Sequence, residues 1–351
     1  MKLSVKPFQQ TKGIAHRKRC MHVVCKAQQT ASRPPHPLIM DAVEALFRFP
    51  PFFNAAAKNA RNMIIKRAYA MGIDWNGTIQ EMKAQDWEAR LQAVQNPSVT
   101  YPSYYTQPFH AYSQGNLCWD AALELTLAAQ SVHAIVMDPR GKELDPQGDA
   151  KLRSGYSARL KECLAELGVA EEGIRSILDL GCATGLSSRE LMRVFPGAAV
   201  TGLDLSPHFI AVGRYEADQR AAANGGMAEP LTLLHGLAES TGLPSDSQDL
   251  VSLCLVCHEL PHNPTRDIMR EAFRVLRPGG VLAVMDMNPA SPIFQRIFNN
   301  PIVFTAFKST EPWLADYISL DMPATMQEVG FSRVLMREST PRHRTLVALK
   351  K

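Results

Sequence analysis

Two glycines four positions apart mark the stretch whose residue types and spacing are best suited to holding a ligand. An apolar run ends at Asp179, Gly181 and Gly185 follow, and a helix-like segment then begins. This is the pattern of a buried parallel strand that passes through a tight turn into a helix N-terminus. Glycine is needed where the backbone takes a positive φ or approaches a ligand closely. A dinucleotide-binding fingerprint would need two further glycines where this chain has Ala183 and Leu186, which argues against an NAD-dependent dehydrogenase.

Carboxylates end two further apolar segments. Asp204 lies 25 positions past Asp179 and closes the run 199–204. Across one strand–helix–strand unit, this is the place from which a carboxylate can bind both hydroxyls of a ribose. Asp286 closes a later run, 281–285.

Two histidines lie in segments that could carry acid–base chemistry. His258 opens the sequence H-E-L-P directly after a fourth apolar run, and His110 lies in a loop dense in tyrosine and phenylalanine at 101–112. Rings buried in such a loop need partners for their hydroxyl and imidazole groups. Either histidine could remove a proton from a substrate, because a general base works best when its pKa lies near the working pH.

Strand and helix patterns alternate from residue 175 onward and predict the scaffold that positions these side chains. Alternation of this kind indicates an α/β domain built on a parallel sheet. After a first strand that ends before Gly181, we predict strands at 199–204, 231–235, 249–256, 281–285, 333–337 and 345–349. The predicted helices between or before them include 151–167, 267–276 and 322–329.

The order of four motifs carries a resemblance to a known family. These are D-x-G-x-x-x-G at 179–185, the strand-end acid Asp204, H-E-L-P at 258–261 and L-R-P-G-G at 276–280. Together they resemble the class I S-adenosylmethionine (AdoMet)-dependent methyltransferases, in particular the group that includes quinone C-methyltransferases. The resemblance implies an α/β, Rossmann-like fold with a seven-stranded sheet in the order 3-2-1-4-5-7-6, the last strand antiparallel. It also implies AdoMet as the cofactor.

The resemblance further implies which residues bind the cofactor. They lie in the glycine-rich loop, after the second and third strands and after the fourth strand: Asp179, Gly181, Ala183, Gly185, Asp204, Leu205, Ala238, Glu239 and Cys257. Similar methyltransferases often have a polar residue for the adenine amino group where this chain has Leu237. The adenine edge must then be met by backbone around Ala238 or by Glu239.

In the family that this chain resembles, the turn after the fourth strand faces the transferred methyl group. His258 is therefore the first candidate for a general base and His110 the second. The alternative for His258 is a structural imidazole that holds the turn, and Glu259 is expected to order that turn. No metal site is expected, because Cys254 and Cys257 would point to opposite faces of a strand.

A helical region with an aromatic loop precedes this domain. Residues 38–75 read mostly as helix, interrupted by Pro50-Pro51. The loop at 101–119 resembles the lid that closes many small-molecule methyltransferases and excludes water, with structural packing as the alternative. We predict a helical cap at 38–148 and the methyltransferase domain at 150–351.

An insertion at 288–321 is rich in phenylalanine and proline. Insertions at this point usually shape the acceptor pocket, and a packed surface excursion is the alternative. A ring-rich lid and insertion indicate a small acceptor of aromatic or apolar character.

The first forty residues differ from the rest, with eight basic and no acidic residues. Without them the formal charge changes from +4 to −4 (30 basic and 34 acidic residues), so the basic composition does not indicate nucleic-acid binding. Basic, acid-free N-termini resemble organelle transit peptides, and residues 23–27 resemble a chloroplast processing site. We predict a transit peptide at 1–36 and a chloroplast location; mitochondrial import or a disordered basic tail are the alternatives.

The basic segment 48–67 offers a second possible partner. It combines lysine and arginine with apolar side chains and contains no acid. Such a helix could lie peripherally on an anionic membrane surface or pack on its own domain. No run of 18 apolar residues occurs, so no membrane-spanning helix is expected.

These observations predict a chloroplast AdoMet-dependent methyltransferase that acts on a small aromatic or apolar acceptor. A protein-directed methyltransferase of the same fold and a non-catalytic AdoMet-binding regulator are the alternatives. The sequence leaves the oligomeric state open.

Overall fold

The computed structural model describes residues 50–110 and 112–351, with the side chains of 50–57 and of Ser309 left out. The transit peptide predicted for 1–36 and the start of the predicted cap lie outside the described residues. What is described belongs to one compact unit.

A seven-stranded sheet in the order β3-β2-β1-β4-β5-β7-β6 forms the centre of the molecule. Its strands are β1 Ser176–Leu180, β2 Ala199–Asp204, β3 Leu231–His235, β4 Gln248–Cys254, β5 Leu276–Met287, β6 Ser332–Glu338 and β7 His343–Leu349. Strands β1 to β5 pair in parallel. Strand β7 runs antiparallel to both of its neighbours. The predicted Rossmann-like fold and strand order are confirmed.

Twelve α-helices are described around this sheet and before it. The helices are α1 Pro50–Ala70, α2 Trp75–Lys83, α3 Trp87–Val94, α4 Trp119–His133, α5 Gly148–Leu167, α6 Leu186–Val194, α7 Pro207–Ala223, α8 His262–Val275, α9 Pro292–Phe298, α10 Pro301–Thr310, α11 Leu314–Ser319 and α12 Met322–Val329. Within the residues described, none combines the length and apolar character needed to cross a bilayer.

Both faces of the sheet are buried, which explains the near-continuous apolar runs of its central strands. Successive side chains of a strand point to opposite faces. Val281 therefore lies in one apolar cluster, with Ile177 and Leu250. Its neighbour Leu282 lies in the other, with Leu178. The core fixes the carboxyl ends of β1, β2, β4 and β5 at one edge, where the polar residues of the sequence motifs follow.

The cap helices pack against α7 of the sheet domain. Trp75, Trp87 and Leu123 from the cap share an apolar cluster with Phe209 and Val212. Because these large rings are buried against α7, the loop between α3 and α4 is held at the sheet edge where the motifs lie.

The first described helix begins at the two prolines that the sequence analysis treated as an interruption. Proline is well suited to the first helical turn, because its missing N–H needs no partner there and its φ is already helical. Farther along α1, Arg61 forms an ion pair with Glu124, a residue only 2 % exposed. At this point the basic segment 48–67 packs on its own cap. Peripheral membrane contact stays a prediction.

Element boundaries differ from the predictions mainly at β4 and β5. Strand β4 ends at Cys254, two residues early, because Leu255 turns into the left-handed region with φ +61°. Strand β5 already begins at Leu276, which pairs with Gln248 across an irregularity in the register. The L-R-P-G-G segment therefore belongs to the strand, although it reads as a turn.

Candidate active site

The glycine-rich loop is shaped by its fit against the turn after β4. Gly181 has φ +68°, and a Cβ built there would lie 2.6 Å from a methyl carbon of Val256. Ala183 also takes a positive φ, +49°, and its N–H donates to Asp204 across 2.8 Å. Glycine is thus required at position 181 for two reasons: a Cβ would collide with Val256, and the backbone takes a positive φ.

A cavity opens at the carboxyl ends of β1, β2 and β4, where ligands of open parallel sheets bind. It encloses about 630 Å³ of space between protein atoms, counting its open mouth. Residues from the cap loop, the glycine-rich loop and the strand ends line it: Tyr104, Tyr105, Asn116, Gly181, Ala183, Leu203, Asp204, Leu205, Phe209, Ala238, Glu239, Leu255, Val256, Glu259, Leu260 and Ile268. Its wall is mostly apolar, with a few polar groups.

Asp204 is held in place by backbone donors. Its Oδ2 accepts from the Ala183 N–H and its Oδ1 from the Ser206 N–H, both across 2.8 Å. Burial raises the pKa of Asp204 to about 6, although these backbone hydrogen bonds favour the ionised form. Each carboxylate oxygen has a second lone pair that can accept a hydroxyl proton.

Glu239 lies at another part of the wall and is linked to the cap loop. Its Oε1 accepts from the Tyr104 hydroxyl across 2.6 Å, while its Oε2 is buried without a partner. Burial raises the pKa of Glu239. An unpartnered buried acceptor is costly unless a ligand supplies a donor. The Glu239 carboxylate therefore fits an amino group, while Leu237 pairs with Ser240 in a short β-bridge.

His258 forms a dyad with Asp286 at the end of β5. The ring Nδ1 lies 2.8 Å from Asp286 Oδ1, and the His258 N–H donates to Oδ2 across 3.1 Å. Burial alone would lower the pKa of His258, but the charge and hydrogen bond of fully buried Asp286 outweigh it. They raise that pKa to about 10, with smaller contributions from Glu311 and Glu259.

The raised pKa bears on the first predicted base, and the role of His258 stays a prediction. An imidazole with a raised pKa is a weaker proton acceptor at neutral pH, and the carboxylate of Asp286 favours the protonated form of His258. His258 therefore fits the alternative role, a structural imidazole that holds the turn after β4, better than the role of a base.

His110 is brought to the same place by the cap loop. Its Nε2 lies 3.1 Å from Glu311 and 3.9 Å from Glu259, and its backbone N–H donates to Thr310 across 2.8 Å. Partial burial opposes protonation, but the charge and hydrogen bond of Glu311 raise the pKa of His110 overall. The second predicted base is therefore also biased toward the protonated form.

Glu259 lies between the two imidazoles and lines the cavity. Its Oε1 is 3.9 Å from the Nε2 atoms of both His258 and His110. Burial raises the pKa of Glu259 to about 7, although the charges of the histidines lower it. Burial thus brings the pKa of this carboxyl group, for which the sequence predicts a role in ordering the turn, close to neutrality.

Three of the predicted cofactor residues do not line the cavity. Asp179 is fully buried and accepts from the hydroxyls of Ser187 and Ser188, so its carboxylate anchors the start of α6. Gly185 is the N-cap of α6. Cys257 is 1 % exposed within the apolar core. These three residues support the glycine-rich loop and the turn after β4 without lining the cavity.

The remaining predicted cofactor residues all lie at the cavity: Gly181, Ala183, Asp204, Leu205, Ala238 and Glu239. Sequence reasoning did not single out Asn116, Phe209 or Glu311. Asn116 lies within 101–119, the segment predicted as a lid, so the sequence did contain a signal for it. Nothing local marked Glu311, which comes close only through the fold of the insertion.

In the described part of the chain, no group of three or more His, Cys, Asp or Glu side chains is placed to hold an ion. Cys254 and Cys257 are both buried among apolar residues, where burial raises the pKa of each thiol.

Comparison with known proteins supplies the family. The model of a methyltransferase domain family matches residues 178–284. An uncharacterised methyltransferase of Synechocystis is 30% identical over 162 residues, which cover 46% of this chain and 68% of that protein. The chain belongs to this methyltransferase family. The matched part of the methyltransferase includes the glycine-rich loop, Asp204, Glu239 and Glu259.

Other similar proteins match over shorter shares. A demethylmenaquinone methyltransferase of Listeria welshimeri is 32% identical over 126 residues, 35% of this chain. The match spans 50% of that relative's length. A solved structure of a putative sarcosine dimethylglycine methyltransferase from Galdieria sulphuraria is 20% identical with a TM-score of 0.42, over 61% of this chain and 73% of that one.

The cofactor of the methyltransferase is S-adenosyl-L-methionine. The cavity fits this molecule by its own chemistry. Asp204 offers carboxylate lone pairs for ribose hydroxyls, and the Oε2 of Glu239 lacks a donor that an amino group could supply. The turn at Gly181 and Ala183 lets the backbone form part of the cavity wall.

Proposed function

We propose that this methyltransferase transfers the methyl group of AdoMet to a small acceptor of aromatic or apolar character. One observation carries the proposal. The acids that fit the cofactor and the titrating carboxylate of Glu259 line one cavity, together with the rings of Tyr104 and Tyr105. A donor and an acceptor bound there would lie side by side.

Methyl transfer requires mainly that the donor and the acceptor are held in the correct position. AdoMet supplies an activated methyl group when bound, and its transfer is an in-line displacement that profits from fixed geometry and exclusion of water. Asp204 and Glu239 would orient the cofactor. Tyr104 and Tyr105 cover the cavity from the cap side.

A small acceptor is favoured over a protein side chain because the cap loop and the insertion meet above the cavity. The His110 N–H donates to the Thr310 carbonyl, and the Trp313 indole N–H donates to the Tyr104 carbonyl across 3.4 Å. These contacts join the two segments into a roof that narrows access. A protein-directed enzyme of the same fold and a non-catalytic AdoMet-binding regulator are the alternative functions.

Calorimetry with AdoMet tests the cofactor site first. We expect Asp204→Ala to bind AdoMet roughly 10- to 100-fold more weakly, since charge-assisted hydrogen bonds contribute on the order of 1.5–3 kcal/mol. Asp218→Ala is the matched control, because Asp218 forms a surface ion pair with Arg90. Equal affinity in wild type and Asp204→Ala would contradict the placement of the ribose.

Labelled AdoMet incubated with fractionated plastid extract then separates the functions. Label in small molecules supports the proposal, and label in protein supports a protein-directed enzyme. Binding of AdoMet with no transfer in any fraction would favour the regulator.

We also propose that the protein acts in the chloroplast. The basic, acid-free stretch before Asp41 and the processing-site-like residues 23–27 support this. An acceptor of apolar character would be consistent with peripheral contact between the basic segment 48–67 and a plastid membrane.

A further inference from the structure

We propose that Glu259 accepts the proton that the methyl acceptor gives up, and that this acceptor enters neutral, with an ionisable O–H or activated C–H. The inference rests on the proposed function and deepens it. It replaces the two histidines as bases and favours an acceptor that loses a proton over an amine.

The position of Glu259 is fixed by the turn that carries it. Residues Cys257–Glu259 form a single 3-10 turn, in which the Glu259 N–H donates to the Val256 carbonyl across 3.0 Å. The side chain is 25% exposed and lines the cavity. Val256 packs against Gly181 at the cavity wall, so the same turn places the carboxylate beside the glycine-rich loop.

The carboxylate is held by charge and remains open for hydrogen bonding. Both imidazole Nε2 atoms are 3.9 Å from Glu259 Oε1, which is beyond hydrogen-bond distance but close enough for strong attraction. Oε2 is 3.5 Å from the Asn116 amide nitrogen. The lone pairs of Oε1 are therefore not used by the histidines and can receive a proton from a bound molecule.

Each imidazole has its own carboxylate partner. Asp286 pairs with His258 and Glu311 pairs with His110. Glu259 is the one of these three carboxylates that has no imidazole within hydrogen-bond distance. The charges of Glu311 and Asp204 further favour a proton on it.

When the proton is transferred, the negative charge passes from Glu259 to the acceptor and stays close to the two imidazoles. The acceptor's O–H or C–H bond breaks and its proton binds Glu259, while the bonding electron pair remains on the acceptor. The two imidazolium groups then stabilise a negative charge on the acceptor, as they did on Glu259. The acceptor would then take the methyl group that bound AdoMet supplies, with the electron pair of the S–CH₃ bond left on sulfur, and the proton on Glu259 would later leave to water.

The same cluster gives an amine acceptor no advantage. A neutral amine has a free lone pair and needs no base before transfer, so a proton acceptor in the cavity does not help it. The arrangement therefore favours an acceptor that becomes anionic.

The pH dependence should follow Glu259 within its surroundings. The charged and titratable groups that face it are His258 on its own turn, His110 and Tyr105 on the cap loop, Glu311 on the insertion and Asp204 at the end of β2. Burial raises the pKa of Glu259 to about 7, so the ionised, proton-accepting form grows as pH rises through neutrality. The rate should rise over the same interval.

The test uses Glu259→Gln, which keeps the shape and removes the proton acceptor. Glu328→Gln is the matched control, because Glu328 is exposed on α12, away from the cavity. Tritiated AdoMet is offered with catechol and 2-naphthol as O–H probes and with N-methylglycine as an amine probe. We expect methylation of an O–H probe, a 10²- to 10⁴-fold lower kcat in Glu259→Gln and loss of the rise near pH 7. AdoMet affinity by calorimetry should stay unchanged.

Three outcomes would overturn the inference while the proposed function stands. They are wild-type-like kcat and pH profile in Glu259→Gln, preference for N-methylglycine, and transfer to neither O–H probe by a protein that binds AdoMet. Failure of the wild-type protein to bind AdoMet would instead contradict the proposed function itself.

Discussion

At the scale of single residues, Asp286 decides what His258 can do. The same imidazole beside water would titrate close to neutrality and could act as a base. Next to a buried carboxylate it holds its proton, and the pKa of Asp286 is lowered in turn, although burial opposes this. The proton-accepting role then falls to Glu259, whose Oε1 has neither imidazole within hydrogen-bond distance.

This pairing predicts how stability depends on pH. The pKa of His258 is higher in the folded than in the unfolded chain, so its stabilising contribution is complete below about pH 6.5 and is lost as pH rises towards 10. Breaking a buried pair costs on the order of 3–5 kcal/mol. Urea unfolding at pH 6 should therefore show a large deficit for His258→Gln, and the deficit should shrink at pH 9.5.

Asp286→Asn is the control for this experiment. Without the carboxylate, the pKa of His258 should fall, and a second change to His258→Gln should then add little pH dependence. A deficit for His258→Gln that is the same at pH 6 and pH 9.5 would contradict the charge assignment.

At the scale of elements, the roof depends on two aromatic residues of the cap loop with different roles. Tyr105 lines the cavity and is only partly buried. Phe109 is 7 % exposed and does not line it. Water exclusion should therefore rest on Tyr105, and anchoring of the loop on Phe109.

We expect Tyr105→Ala to lower turnover far more than stability, because positioning and dryness are lost while the sheet is untouched. Phe109→Ala should cost about 3–5 kcal/mol of unfolding free energy, as for other buried large aromatic residues. Thermal melting and AdoMet affinity can be measured first, since neither needs an acceptor. A large loss of stability in Tyr105→Ala with normal turnover would argue against a lid.

At the scale of the whole molecule, charge is divided unevenly along the chain. The basic excess is concentrated before Asp41, and the remainder is acidic overall. The chain without this stretch would need no nucleic-acid partner to explain its composition. We propose that the basic stretch is an address and not a binding surface.

The address can be tested directly. Residues 1–40 fused to a fluorescent reporter should direct it to chloroplasts in plant or algal cells, and the mature N-terminus should lie between residues 25 and 40. A fusion that lacks residues 1–40 is the control. Reporter in the cytosol, or a purified native protein that begins at Met1, would contradict the proposal.

The sequence by itself determined the sheet and the cofactor end of the cavity. The strands, the glycine-rich loop and the strand-end acid Asp204 follow from local patterns, because strand alternation, tight turns and strand-end acids are visible in consecutive residues. The strand order was implied by the resemblance of the motifs to class I methyltransferases. Local patterns were less reliable at the L-R-P-G-G segment, where pairing of Leu276 with Gln248 extends the strand through glycine and proline.

Only the tertiary structure decided the protonation chemistry. Asp286 and Glu311 lie 28 and 53 positions from His258, and His110 lies 148 positions before it. Their charges act on one another only after β5, the insertion and the cap loop meet above the turn at Glu259. A pKa depends on burial and on neighbouring charges in space, and neither can be read from residue order. For this reason the sequence pointed to the histidines, while the fold brings Glu259 to within 3.9 Å of both and its burial raises the pKa of this carboxyl group.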